Sequence, residues 1–266
     1  ITCSISGFGD TEVNRPAYDN LIQGYAGAMS ITGSDKENPV KSGIPIADLG
    51  AGLYAVIGIL SAIQSREKND SGEHVDISML DTQVSLLTYM ATMHFLSGEN
   101  PEPIGNQHMN HVPFNSYRTS DGFIQIGVVA EDFWPSLIEA LDLRQLDTEE
   151  NKVRSGRLKN RENIDQAVQE VFITNTTEHW LKTLQEHRVP CGPINTLSET
   201  FQDADLLKRN MIVEVLQDSG ASVKMPGNPV KISNHDEEFR RSPKLGEHTS
   251  KIFKDWLDKD ISIDQD

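Results

Sequence analysis

The segment that decides the fold reads SGIPIADLGAGL over residues 42–53. One carboxylate, Asp48, stands just before the small residues that open a long apolar run. This pattern predicts a helix that begins at Asp48, where unpaired N–H groups and the helix dipole favour an ionised side chain. The neighbouring glycines let another chemical group approach the backbone closely. Asp48 is therefore a candidate nucleophile, and an ordinary helix-capping aspartate is the alternative.

The sequence on either side alternates between strand and helix patterns. The apolar run at 49–63 predicts a helix that reaches Arg66, and it is shorter than the ~20 residues that span a bilayer. We expect no membrane partner. The flanking predictions are a strand at 1–6, a helix at 20–31, a loop at 33–45, a strand at 73–77 and a helix at 76–96. Because the chain opens inside a strand pattern, we expect it to be a fragment of a longer protein.

The composition changes at Ser97, and residues 97–113 predict a linker or a mobile loop. A turn at Asp121 and Gly122 lies between two apolar alternations and predicts a hairpin. The remaining predictions are helices at 132–141, 161–172 and 177–186, a loop at 189–194, a helix at 197–209, and strands at 213–216 and 223–225. The pattern indicates an α/β or α+β protein with a domain change near residue 105.

Charge and cysteine content exclude several classes of function. The formal net charge of −16 disfavours binding to a phosphate backbone, so we expect no nucleic-acid partner. The two cysteines, Cys3 and Cys191, have no paired spacing, which argues against a disulfide scaffold and favours a reducing, cytoplasmic location.

Short motifs surround Asp48 in a fixed order. They are SGFG at 6–9, YDN at 18–20, QGYAG at 23–27, GILSA at 58–62, GEHVDISMLD at 72–81, YRTSDG at 117–122, VPCGPI at 189–194 and PKLGEHT at 243–249. Together they resemble the class III CoA-transferases over residues 1–253. That family includes formyl-CoA transferase, carnitine CoA-transferase and alpha-methylacyl-CoA racemase. Residues 18–32 and 105–117 look most like the succinyl-CoA-dependent dicarboxylate transferases.

The resemblance implies an α/β fold with a Rossmann-like large domain, incomplete here, and an inserted smaller α+β domain. It also implies that two full-length protomers interlink as a homodimer. The expected divisions are 1–80 for the large-domain part that carries Asp48, 81–105 for a helix and linker, 106–205 for the small domain, 206–230 for a linker, and 231–266 for the return to the large domain and a tail.

The resemblance also implies a reaction. Asp48 would attack an acyl-CoA, form an aspartyl-CoA thioester and pass CoA to an acceptor acid. The expected partners are thus an acyl-CoA and small carboxylic acids, with the coenzyme A thioester as a substrate and no permanently bound cofactor. The residues that the resemblance places around substrate or CoA are Tyr18, Asp19, Gln23, Gly50, Gly105 and Asn106.

Two alternatives to CoA transfer stay open. A racemase of the same fold has a histidine where this chain has Tyr18. Tyrosine, with a pKa of about 10, is a poor base at neutral pH, which favours transfer. A truncated, partner-dependent subunit without activity is the second alternative. Locally, Asp19 is also suited to capping a helix from Asn20, and residues 105–111 also fit a plain linker.

His108 and His111 raise the question of a metal site. No third ligand stands near them at metal-binding spacing, and the sequence contains neither HExxH nor CxxC. We therefore expect no metal.

Overall fold

The computed structural model describes residues 1–10 and 14–259. It is a mixed α/β structure whose contacts divide the chain into two units, Ile1–Ile194 and Asn195–Asp266. The final residues of the predicted tail, 260–266, lie outside the described residues. The domain divisions expected from the sequence stay a prediction.

The first unit begins with a parallel pair of strands joined by helices. Strand β1, Thr2–Ser6, pairs with β2, His74–Ser78, in the register Thr2 to His74 and Ser6 to Ser78. Parallel strands need a long crossover connection. Here it contains helix α1, Asp19–Tyr25, a 3₁₀ helix, Ala28–Ile31, and the long helix α2, Ile46–Asn69. The predicted strands at 1–6 and 73–77 are confirmed within one residue.

Two predicted helices are each broken in the structure. The helix expected at 20–31 is interrupted at Gly27, whose φ of 82° is readily adopted only by glycine. The helix expected at 76–96 is two helices, α3, Met79–Leu86, and α4, Tyr89–Ser97, which are separated where Thr88 has φ 50°. A threonine at positive φ leaves the helical region, so the chain changes direction there.

Helix α2 packs through small residues against α3 and β2. Its buried side consists of Ala47, Gly50, Ala51, Ala55 and Ala62. A Cβ added at Gly58 would come within 2.7 Å of Val75 Cγ1 in β2. Small side chains are thus what allows this helix to lie close to its strand. Large apolar side chains such as Leu53 and Leu60 remain exposed on the opposite side.

The length expected for α2 was wrong. The helix has 24 residues and is long and apolar enough to cross a membrane by length and composition alone. The apolar run at 49–63 is shorter than the helix because helical residues continue on both sides of the run. A core helix of a soluble protein meets the same criterion. The expectation of no membrane partner stays a prediction.

The second half of this unit surrounds a three-stranded antiparallel sheet. Strands β3, Phe114–Arg118, and β4, Phe123–Gly127, form the predicted hairpin, and β5, Cys191–Pro193, pairs with β4. Residues 189–194 had been predicted as a loop, which is wrong for β5. The helices are α5, Phe133–Ala140, α6, Arg154–Lys159, α7, Arg161–Phe172, and α8, Thr177–Glu186. Their apolar sides form a core with β3 and β4 that includes Trp134, Leu137, Ile164, Phe172 and Leu184.

The second unit contains a hairpin and short helices. Strands β6, Ile212–Leu216, and β7, Ser222–Pro226, are antiparallel. The helix expected at 197–209 is two helices, α9, Leu197–Thr200, and α10, Ala204–Lys208. The break occurs because Asp203 caps α10 and so starts a new helix. Helix α11, Thr249–Leu257, follows.

Candidate active site

Asp48 lies in the first turn of α2 but not at its cap. The helix begins at Ile46, and the capping position is Pro45, which has no side-chain acceptor. The prediction that the helix begins at Asp48 is therefore wrong by two residues. Asp48 is exposed, and its side chain accepts no hydrogen bond from the described residues. A free carboxylate at the positive end of a long helix is available to attack an electrophile.

The missing cap for α2 comes from α1. Asp19 Oδ1 accepts a hydrogen bond of 2.9 Å from the backbone N–H of Ala47, the residue before Asp48. Asp19 is the first residue of α1, whose capping position is Tyr18. The alternative that Asp19 caps its own helix is thus wrong. The carboxylate joins the start of α1 to the start of α2.

Gln23 extends this connection to the loop before α2. Its Nε2 donates to Asp19 Oδ2 at 2.6 Å, and its Oε1 accepts from the backbone N–H of Ser42 at 2.8 Å. Gln23 is only 1% exposed. Its amide oxygen and its amide nitrogen thus each bond to another part of the protein, which gives Gln23 a structural position. Its predicted contact with substrate stays a prediction.

Tyr18 differs from Gln23 in being 73% exposed. Its backbone carbonyl accepts from the N–H groups of Leu21 and Ile22, which fixes it at the start of α1. Because Asp19 contacts Ala47, the chain at Tyr18 lies beside the α2 terminus. The structure therefore brings Tyr18, Asp19 and Gln23 to the helix end that carries Asp48.

Gly50 packs inward. A Cβ added there would lie 2.8 Å from Thr82 Cγ2 and 3.2 Å from Leu86 Cδ1, both in α3. The close approach that this glycine permits is therefore to another helix of the same chain. Its predicted contact with substrate stays a prediction.

The hydrogen bonds of Gly105 and Asn106 are with residues outside this cluster. The N–H of Gly105 donates to Gly33 O at 2.7 Å, and Asn106 Nδ2 donates to Ser116 Oγ at 2.7 Å. Gly105 has φ 63°, a conformation that favours glycine. The hydrogen bonds tie this loop to the 33–45 loop and to β3, and none of them joins it to Asp48.

A recess of about 260 Å³ lies next to the α2 terminus. Gln23, Ser42 and Ile46 line it, together with Gln83 of α3. Gln83 is 4% exposed, and its Oε1 has no hydrogen-bond partner in the described part of the chain. Sequence reasoning missed Gln83. The available signal was its place four residues after Met79, which puts a polar residue on the buried side of a helix.

Arg15 is a second residue that the sequence did not single out. Its guanidinium lies 3.7 Å from the ring centroid of Phe8 and 4.9 Å from that of Tyr25. Contact with two aromatic faces holds an arginine near the turn after β1.

The histidine pair does not form a metal site in the described residues. His108 and His111 have ring centroids 4.6 Å apart. Burial lowers the pKa of His111, and the charge of His108 lowers it further. Across residues 1–10 and 14–259, no three His, Cys, Asp or Glu side chains are grouped to hold an ion.

The family described as CoA-transferase family III matches residues 1–249. The human succinyl-CoA:glutarate CoA-transferase is 30% identical over 261 residues, which cover 97% of this chain and 60% of the human protein. The succinyl-CoA:mesaconate CoA-transferase of Haloarcula marismortui is 32% identical over 262 residues, covering 95% of this chain and 65% of that protein. The chain thus spans less than two thirds of these relatives.

A solved structure has the same fold. It is a CaiB/BaiF family protein from Brucella suis, 32% identical, with a TM-score of 0.82. The superposition covers 96% of this chain and 67% of that one. The mixed α/β arrangement described above is thus that of an experimentally observed fold.

Proposed function

Because this chain belongs to CoA-transferase family III, we propose that it moves CoA between an acyl-CoA and a carboxylic acid, with Asp48 as the nucleophile. The observation that carries the proposal is an exposed, unpaired carboxylate in the first turn of α2, held in place by a cap from another helix. The dicarboxylate transferases among the relatives support succinyl-CoA or a related dicarboxyl-CoA as the donor.

The reaction begins when an Asp48 oxygen attacks the thioester carbonyl of the acyl-CoA. The C–S bond breaks, which leaves a mixed anhydride between Asp48 and the acyl group, together with CoA thiolate. The thiolate then attacks the aspartyl carbonyl of the anhydride. The departing acyl group leaves as a free carboxylate, and CoA remains on Asp48 as a thioester.

The second half repeats these steps in reverse. An acceptor carboxylate attacks the aspartyl thioester and displaces CoA thiolate, which leaves a second mixed anhydride. The thiolate attacks the acceptor carbonyl of this anhydride, and the product is a new acyl-CoA with Asp48 as a free carboxylate. Each bond broken resembles the bond formed, so no ATP is needed. Covalent catalysis divides the exchange into smaller steps.

The remaining site residues have distinct parts in the proposal. Tyr18, exposed beside the α2 terminus, contacts the acyl or acceptor group. Gly105 and Asn106, in the loop that is hydrogen-bonded to Gly33 and to β3, contact the substrate in this proposal. The recess lined by Gln83 has no assigned part in the reaction.

Replacing Asp48 by alanine in the full-length protein tests the nucleophile. We expect turnover between succinyl-CoA and a dicarboxylate to be lost. The matched control is Asp81→Ala, because Asp81 is also exposed in the first turn of its helix, α3, three residues after its capping residue Ser78. Full turnover by Asp48→Ala would refute the assignment. Deuterium exchange at the α-carbon of an acyl-CoA without CoA transfer would instead indicate a racemase.

The larger assembly is also part of the proposal. We infer a Rossmann-like large domain that includes the segment carrying Asp48, an inserted domain at 106–205, and an interlinked homodimer in the cytoplasm. The support is the family membership and the share of the relatives that this chain spans. Light scattering and limited proteolysis of the full-length protein test the dimer and the domain boundaries.

A further inference from the structure

Gln23 is one of the few polar side chains buried in the first unit, and its surroundings determine the orientation of its amide. The N–H of Ser42 is a donor, so the oxygen Oε1 must face Ser42. The amide nitrogen therefore faces Asp19, whose carboxylate can only accept. A glutamine is one of the few side chains that can join a backbone donor to a carboxylate in this way.

The hydrogen bonds form a continuous chain from one loop to a helix terminus. They run from Ser42 N–H to Gln23, from Gln23 to Asp19, and from Ala47 N–H back to Asp19, with distances of 2.8, 2.6 and 2.9 Å. We call these four residues the Gln23 relay. Its two ends lie on either side of Pro45, which supplies no cap for α2.

We propose that Gln23 is a positioning residue for the reaction at Asp48, acting through the Gln23 relay. The relay fixes both the loop before α2 and the first turn of the helix, since a helix terminus without a cap frays. Asp48 directly follows Ala47, whose side chain is fully buried, so the anchored N–H fixes the backbone from which the Asp48 side chain extends. The inference rests on the proposed function of Asp48.

The donor and acceptor pattern predicts a rescue. In Gln23→Glu two carboxylates face each other, and in Asp19→Asn two amide nitrogens compete for the same space. The double variant Asp19→Asn/Gln23→Glu restores every hydrogen bond. In that variant the new amide at position 19 accepts from the Ala47 N–H and donates to the new carboxylate at position 23. The carboxylate at position 23 also accepts from the Ser42 N–H.

Single-turnover and steady-state kinetics of the full-length protein with succinyl-CoA test the relay. We expect each single variant to lower kcat by about 10- to 100-fold, because small displacements of a reacting group have effects of this size. KM should change much less. The double variant should recover kcat to within about fivefold of the parent. The same single variants should show faster amide exchange in peptides covering 42–49, and the double variant should reverse it.

Gln166→Glu is the matched control. Gln166 donates to Glu170 at 2.9 Å on the exposed side of α7, also four residues apart. This variant creates the same kind of carboxylate pair on a helix, and we expect no change in kcat or in exchange at 42–49. Peptides from α7 should also keep their exchange rates in the relay variants.

Several outcomes would overturn the proposal. Unchanged kcat and exchange in both single variants would show that the relay does not position Asp48. A double variant with restored exchange but no recovered activity would mean that the Asp19 carboxylate acts on the substrate itself. Faster exchange throughout the protein would assign Gln23 a general folding role. Turnover by Asp48→Asn would refute the proposed function. The amide-exchange measurements do not depend on chemistry at Asp48, so they would still test whether the relay holds residues 42–49.

Discussion

Replacing Arg157 by methionine tests how the second half of the first unit is held together. Arg157 is fully buried, and its guanidinium makes four hydrogen bonds. Nε donates to Val112 O at 2.8 Å, Nη1 to Asn151 O at 3.0 Å and to Lys152 O at 3.3 Å, and Nη2 to Glu131 Oε2 at 2.7 Å. One side chain thus joins the segment before β3 to the loop before α6.

The expected loss of stability follows from these partners. Hydrogen bonds from a charged donor contribute roughly 1.5–3 kcal/mol each, but they are not additive. The Glu131 side chain is 56% exposed and can be hydrated once Arg157 is gone. The backbone carbonyls at 112 and 151 lose a buried donor instead. We therefore expect a loss of about 3–5 kcal/mol, since each buried carbonyl left without a donor costs roughly 1–3 kcal/mol.

Urea unfolding followed by circular dichroism and tryptophan fluorescence measures this loss. In a domain of 150–250 residues it corresponds to a fall in Tm of about 6–20 °C, at ~2–4 °C per kcal/mol. Glu131→Gln is the control, and because the amide oxygen can still accept a hydrogen bond from Arg157 we expect it to cost less than Arg157→Met. A loss below about 1 kcal/mol for Arg157→Met would refute this account of the core.

Three further changes have defined outcomes. Gly156→Ala places a Cβ 1.8 Å from Glu150 O, so thermal unfolding should show that the free energy of unfolding falls by about 3 kcal/mol or more. Gly50→Ala places a Cβ 2.8 Å from a side-chain carbon of α3, and we expect about 1–3 kcal/mol in the same measurement. The hydrogen bond from Arg241 lowers the pKa of Glu247 from 4.5 to about 2. Because the folded-state pKa is depressed, the stability from Glu247 is present above pH 4.5 and is lost as the pH falls toward 2. A carboxyl NMR titration checks this, and an inflection near 4.5 would contradict it.

The elements that were predicted well are those with local signals. The hairpin at 117–129 has a D-G turn between apolar alternations, and the structure contains it as β3 and β4. The long apolar run after Asp48 predicts a helix, and the structure contains it as α2. Strand β5 was missed because its residues are Cys, Gly and Pro, a loop composition. Its strand geometry depends on pairing with β4, which is distant in sequence.

In the candidate site, too, local patterns were predicted from the sequence and contacts between distant segments were missed. The sequence predicts Asp48 as the nucleophile because a carboxylate before small residues is a local pattern, and this assignment stays a prediction. The ordered motifs indicate the family, which the family match confirms. The start of α2 was misplaced because its cap is Asp19, a residue 28 positions before Ala47. The hydrogen bonds of Gln23 were missed for the same reason, since its partners are Asp19 and the backbone of Ser42. Contacts between distant segments cannot be deduced from local spacing.

The covalent intermediate is the central claim, and mapping the CoA adduct tests it most directly. The full-length protein is incubated with succinyl-CoA in the absence of an acceptor, digested, and examined by peptide mass spectrometry. We predict a single CoA adduct on Asp48 that hydroxylamine converts to the aspartyl hydroxamate. An adduct on a different residue would contradict the account, as would turnover through a protein that never carries CoA on Asp48.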